Sequence, residues 1–351
     1  MQLEGAFFES QFSKSSPLDD VLGLIPQCAS WIKKLQIAIH QDNVRILPSY
    51  RSSPLNGIQP FDTRMAAVRS AYQLRSGLAL LTHTPEASNC LLEFSLTVYE
   101  MTVDDDDDIR DLGAAVACRI LSVSALDHAN HQERVPLVAG ARLAEYLASR
   151  FVRSQRLAQA AMSKLVTGLS LSEVPSQASS VQELLDGARK QDTALFVQEK
   201  HNLFIDEARE SRLWAQVLVQ LSPRALGNAE WLMQWALEGL DVLIATAEKE
   251  HDGSLGWTRN SAVFTLGLRI VYATEVSLTV RERSGDRAFT MPGSKMKERL
   301  VTLLRIGRES DLHPLWLEQV EKVLQRAMVR RVWRLGAALK VASSRIEAGK
   351  A

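Results

Sequence analysis

Apolar residues recur along this chain at the three-to-four spacing of an α-helix, and the pattern stops and restarts many times. Between 17 and 41, Leu18, Val21, Leu22 and Ile25, then Trp31, Ile32, Leu35 and Ile39, form one core-facing stripe, which Pro26 is expected to interrupt. The stretch RSSPLNGIQPFD, 51–62, is dense in Ser, Pro and Gly and reads as a loop. A helix is expected from about Phe61 to Leu81. HTPEAS then punctuates the chain, with Thr84 as N-cap and Pro85 at the first helical position of a helix reaching about Tyr99.

Further helices are expected over 109–122, 135–152 and 154–169. Residues 170–192 form the most loop-like long segment, with one short helical patch. Beyond it the pattern predicts helices over 204–220, 223–249, 259–280, 295–307 and 314–346. The last would be ~50 Å long at 1.5 Å per residue and is expected to bend or break near Gly336. Only SLTVRER and FVQEKHNLFI carry strand-like composition, and neither has a hairpin partner.

Antiparallel helices joined by short turns read as an all-α fold, a HEAT/armadillo-like α-solenoid of helix pairs. Exact repeats are absent, but helix pairs recur roughly every 40–50 residues, the period of such units. We divide the chain into N-terminal helical repeats over 1–169, a linker or loop excursion over 170–192, and C-terminal repeats with a basic terminal helix over 193–351.

The composition fits a soluble globular protein: 46% apolar and 23% charged residues over 351 positions, with no formal net charge. Zero net charge removes any broad basic signal for nucleic acid. The charge is uneven, however: from Lys295 onward there are 13 basic and 6 acidic residues, against 28 and 35 before it. Such asymmetry points to a polyanion-facing end. Cys28, Cys90 and Cys118 lie far apart without a C-x-x-C, which fits a reducing compartment. The N-terminus lacks a basic start followed by an apolar segment, and no apolar run reaches the ~18 residues a bilayer requires. A cytoplasmic protein without membrane association is expected.

The run Asp104–Asp108, followed by Arg110, poses the sharpest chemical question. An EF-hand beginning at Asp104 would put Ile109 where glycine is needed and Ala115 where the bidentate glutamate is needed. Five adjacent carboxylates in a turn are solvated, so nothing keeps one protonated for acid–base work. A helix corner explains them better. Asp107 or Asp108 would cap a helix beginning near Ile109, and negative charge there complements the helix dipole. Ile109, Leu112, Val116 and Ile120 follow at helical spacing, with Ala114, Ala115 and Ala117 allowing close packing. The pattern is similar to the second helix of a HEAT repeat, where a turn Asp and a following Arg bond between neighbours. Asp106 or Asp107 and Arg110 match those positions, and Asp108 completes the corner.

Other candidate chemistry is thin. No strand–G-x-G–helix unit, P-loop or G-x-S-x-G occurs, and Gly140 sits inside an expected helix, where it permits close packing. His128 and His131 have H-x-x-H spacing without further ligands nearby. Trp214, Trp231, Trp235 and Trp257 are most simply core anchors. No catalytic residue, cofactor, metal or small-molecule substrate is expected. In the terminal helix, Lys322, Arg326, Arg330 and Arg334 recur every four residues, and Arg331 widens that face. An ordinary solvated face is one reading. A phosphate-tracking ridge for tRNA, or a contact for an acidic partner, is the other.

Three segments in order carry a family resemblance: DDDDDIRDLGAAVACRIL, EKHNLFIDEARESRLWAQVL and HDGSLGWTRNSAVFTLGLRI. Together, over roughly 90–280, they resemble the C-terminal part of the thyroid adenoma-associated protein family. That resemblance implies a HEAT-like protein serving as the non-catalytic regulatory or scaffold partner of a tRNA 2′-O-ribose methyltransferase that acts at nucleotide 32 of the anticodon loop. Family members are several times longer, so the chain corresponds to their terminal portion or to a truncated relative. The alternative is a HEAT-repeat adaptor between proteins, such as a tubulin-folding or transport cofactor, without tRNA affinity. An enzyme with an unrecognised helical site would instead bind S-adenosylmethionine or a metal.

Overall fold

A computed structural model describes residues 18–39, 61–79, 87–104, 106–121, 135–167, 181, 200–227, 230–249, 261–284, 290–309 and 318–325. Every regular element among them is helical. In chain order these are α1 (Leu18–Ile39), α2 (Phe61–Ala79), α3 (Ser88–Thr102), α4 (Asp107–Ile120), α5 (Val135–Arg150), α6 (Gln155–Thr167), α7 (Lys200–Gln220), α8 (Glu230–Lys249), α9 (Ser261–Ser284) and α10 (Thr290–Glu309), with a further helical stretch at 318–325. The fold is an all-α solenoid, as the periodicity implies.

Packing follows chain order. Helix α1 lies on α2 and α3, α2 on α4, and α3 on α4 and α5. Helix α5 meets α7, α6 meets α7 and α9, and α8 joins α9 to α10. No principal contact links α1 or α2 to α7–α10. This nearest-neighbour arrangement defines a stacked array, in which each unit buries its apolar face against the next.

The amphipathic pattern explains most elements. On α1, Cys28, Trp31, Ile32, Leu35, Ala38 and Ile39 are buried while Lys33, Lys34 and Ile37 are exposed. Pro26 does not interrupt this helix; α1 runs through it, with Pro26 itself exposed. Helix α3 is central: Leu91, Phe94, Leu96, Val98, Tyr99 and Met101 are inaccessible to solvent. Its neighbour α4 approaches so closely that a Cβ on Gly113 would sit 2.6 Å from Met101 Cβ and 2.9 Å from its carbonyl carbon. Gly140 on α5 similarly lies over Thr102 and Tyr99.

Both segments of strand-like composition are helical, and one helix starts later than expected. SLTVRER, with its strand-like composition, belongs to α9. Residues 265–280 of that helix are buried all round, so its neighbours rather than β-propensity decide the conformation. Three of its buried hydroxyls are satisfied locally: Thr274, Ser277 and Thr279 each donate to the carbonyl four residues back, at 2.8 Å. The end of FVQEKHNLFI likewise enters α7. The single helix expected over 223–249 begins only at Glu230, because residues 221–227 form a turn with Gly227 at φ 57°. Within 170–192, residue Val181 is described; it is buried, and its N–H donates to Glu238 Oε1 of α8 at 3.3 Å. Among the described residues no helix is long and apolar enough to cross a membrane.

Candidate functional site: an acid corner and a buried charge cluster

The chain leaves α3 at Thr102, turns through Val103 and Asp104, and enters α4 at Asp107. Asp106 is the N-cap, one position ahead of the two candidates, Asp107 and Asp108. Its backbone is extended (φ −94°, ψ 128°), which aims the carboxylate back at the free N–H groups of Asp108 (3.0 Å) and Ile109 (3.4 Å). Asp107 and Asp108 stand in the first helical turn, where their charge meets the positive end of the helix dipole. Arg110 pairs with Asp107 and donates from Nη1 to the Asp104 carbonyl at 2.6 Å. Both bonds stay within the corner rather than reaching a neighbouring repeat.

The link between units comes from Asp104, whose role the sequence did not single out. Its side chain is 2% exposed, and both oxygens lie 2.6 Å from Arg64 Nη1, on α2. Asp104 Oδ1 also accepts the Asp106 N–H at 2.9 Å. The corner therefore ties α2 to the α3–α4 turn with a buried ion pair. One signal was present: Arg64 is a lone cation beside Met65, Ala67, Val68 and Ala71 on a buried stripe. Among the described residues no group of three or more His, Cys, Asp or Glu is placed to hold a metal ion.

A second charged cluster lies where α3, α6 and α7 meet. Lys164 of α6 is 3% exposed at its side chain; Nζ lies 2.9 Å from Glu100 Oε2 of α3 and 3.9 Å from Glu210 Oε1 of α7. Burial pushes the Lys164 ammonium down, but Glu100 and Glu210 outweigh it and hold the ammonium above its usual range. A lysine kept protonated is a fastening cation and not a nucleophile. Trp214 Nε1 donates to Glu210 Oε1 at 3.4 Å, and the Trp214 and Tyr99 rings meet edge to face at 4.7 Å. Burial, then Glu210 and Glu100, push the Tyr99 phenol well above its usual range. About two helical turns away, Glu93 accepts from Arg156 Nε at 2.6 Å and from Gln36 Nε2 at 3.0 Å, joining α3 to α6 and α1. Thus α3 carries two carboxylates seven positions apart, both facing α6. That spacing within LLEFSLTVYEM was the available signal.

The remaining candidates divide between core and undescribed chain. Trp214 and Trp235 are buried, and Trp231 is partly buried against the core. Cys28, Cys90 and Cys118 form no disulfide; burial, reinforced by Cys90, pushes the Cys28 thiol up to about 11. Lys322 lies in the helical stretch 318–325, where its Nζ is 2.5 Å from Glu318 Oε1 one turn back. Arg326, Arg330, Arg331 and Arg334 lie outside the described residues, as do Thr84, Pro85, His128, His131, Trp257 and Gly336.

The buried charges of the corner and of the Lys164 cluster hold helices together, and the helices stack in chain order: the class is a helical-repeat protein. Residues 145–328 match the family described as the Trm72 ARM-like repeat region, and the chain belongs to that family. The match covers two of the three segments that carry the resemblance and starts after the aspartate corner. No curated protein and no solved structure matches the chain.

Proposed function

We propose that this chain is a non-catalytic scaffold subunit that positions tRNA for ribose 2′-O-methylation at nucleotide 32 of the anticodon loop by a partner methyltransferase. The observation that carries the reading is the family match over 145–328, set on a stacked helical array. The mechanism is orientation. A rigid surface that holds tRNA against the partner turns a diffusive encounter into a pre-aligned one, lowering the entropic part of the barrier. Specificity for the nucleotide then belongs to the methyltransferase and to the tRNA's shape. In this reading Lys322, Arg326, Arg330, Arg331 and Arg334 follow the phosphate backbone without reading bases. The stretch 170–192 connects two groups of repeats, and the protein works in the cytoplasm.

The test is reconstitution. Co-expression with a tRNA 2′-O-ribose methyltransferase should yield a stable complex that methylates nucleotide 32 of a tRNA, while the methyltransferase alone should not. Arg326→Glu/Arg330→Glu should flatten the salt dependence of tRNA binding. Equal methylation with and without the chain, together with failure to form the complex, would refute the proposal. A chain that binds another protein and has no tRNA affinity would be an adaptor instead.

A further inference from the structure

A second basic surface lies far from the terminal ridge in sequence, along the edge of the stack where the C-terminal ends of α5, α7 and α9 meet. Helix α5 ends at Arg150, and the turn 151–154 leads into α6, where Ser154 Oγ accepts the Leu157 N–H at 3.1 Å. After α7, the turn 221–227 lies alongside: the Ser222 N–H donates to the Val152 carbonyl at 2.9 Å. Arg283, at the end of α9, donates to the carbonyls of Val219 and Leu221, closing the last turn of α7. Three segments distant in sequence are thereby fixed together, two by a backbone hydrogen bond and the third by the Arg283 guanidinium.

Among the described residues, Arg150, Arg153, Arg224 and Arg283 are exposed here. Arg150 and Arg283 stand at helix C-termini, where a cation complements the dipole. Arg153 and Arg224 have no such duty. They stand in the turns, one and two residues from the Ser222–Val152 bond, and neither has a carboxylate partner among the described residues. Arg156 differs, being paired with Glu93. Neither 146–159 nor 216–229 contains an aspartate or glutamate. The start of α6 adds the positive end of its dipole to the same place.

We propose that this edge, centred on Arg153 and Arg224, binds the phosphate backbone of RNA; the choice of RNA rests on the function proposed above. Guanidinium forks suit phosphate, and two of them on turns pinned by a shared hydrogen bond are held at a fixed separation. A docked protein would want an apolar centre within a polar rim, whereas Val152, at 37%, is the large apolar side chain exposed on these two turns. The contact would be independent of base sequence, and would let one tRNA be held at two places on the array.

The test measures tRNA binding by the full chain, with its methyltransferase partner, across a salt series. Arg153→Glu/Arg224→Glu should lower the slope of log affinity against log salt by about 2, one unit per lost phosphate contact. Thermal melting should be unchanged, since both residues are exposed. Arg153→Gln/Arg224→Gln serves if the glutamate pair fails to fold, with the same expected loss. Parental binding with unaltered slopes in both variants overturns this inference and leaves the proposed function standing. Absence of any tRNA binding by the parent overturns both. Loss of methyltransferase capture with tRNA binding intact would mark a surface for an acidic protein, which also overturns it.

Discussion

Replacing Asp104 by asparagine tests whether the acid corner is a joint between units or a solvated turn. Asp104 and Arg64 are 4% and 8% exposed, so their attraction is little screened by water. The carboxylate faces a guanidinium at 2.6 Å through both oxygens and also accepts the Asp106 N–H. Arg64 Nε is itself buried with no hydrogen-bond partner, so the site has no spare acceptor to compensate. Asparagine keeps the shape and one acceptor, but it removes the charge and turns an amide N–H₂ toward the cation. Breaking a buried pair by removing one partner costs about 3–5 kcal/mol. We predict a loss in that range, against about 1 kcal/mol for Asp106→Ala, which deletes only a cap. The double variant Arg64→Met/Asp104→Asn should recover much of the loss, with a coupling of about 2–3 kcal/mol in a double-mutant cycle. Urea unfolding followed by tryptophan fluorescence gives the energies, and amide exchange in α2 and α4 locates the loosening. If Asp104→Asn stays within about 0.5 kcal/mol of the parent, or the double variant is no better than the single, the joint is not carrying the packing.

Two further predictions address the core. Gly113→Ala should destabilise by about 1–3 kcal/mol, although alanine favours helix, because its Cβ would meet Met101 backbone that cannot rotate away; a stabilised variant in urea titration would contradict the close α3–α4 approach. Because the Lys164 ammonium is held above its usual range, its contribution is complete below the unfolded value of about 10.4 and disappears as pH rises through the folded value. Lys164→Met should cost about 3–5 kcal/mol at neutral pH and remove part of the alkaline loss, the rest belonging to tyrosines such as Tyr99. Identical alkaline melting profiles for parent and variant would show that Lys164 is not held by Glu100 and Glu210.

The legible part of this protein was its helices, and physical reasons separate them from what was missed. A stripe such as Leu91, Phe94 and Val98 announces a buried helix because 3.6-residue periodicity is local. Wherever the environment rather than the local pattern decides, the reading slipped. Pro26 did not break α1, because the buried face from Cys28 to Ile39 holds the helix against its neighbours while Pro26 stays exposed. SLTV has a strand-like composition but falls in the helix expected over 259–280, and there the helical period, with burial on every side over 265–280, outweighs β-propensity. The aspartate run lies between α3 and α4, with the cap on Asp106 and the joint on Asp104, because which carboxylate turns inward depends on Arg64 forty positions earlier. Glu100 was marked only by its spacing from Glu93, and Lys164 and Glu210 by nothing, because each is an ordinary charge until three distant helices bring them together.

The side of α3 that carries Glu93 and Glu100 sets an order on synthesis. Their partners Arg156 and Lys164 come 63 and 64 positions later, and Trp214, which closes over Tyr99, later still. A ribosome adding about 5–20 residues per second leaves that flank uncovered for several seconds after α1–α4 have emerged. During that interval the nascent protein displays carboxylates beside an unsealed aromatic ring, a surface suited to a chaperone and exposed to misassembly with a neighbouring nascent copy. Slowing translation between α4 and α6 should therefore harm the yield of this protein more than slowing it after α9.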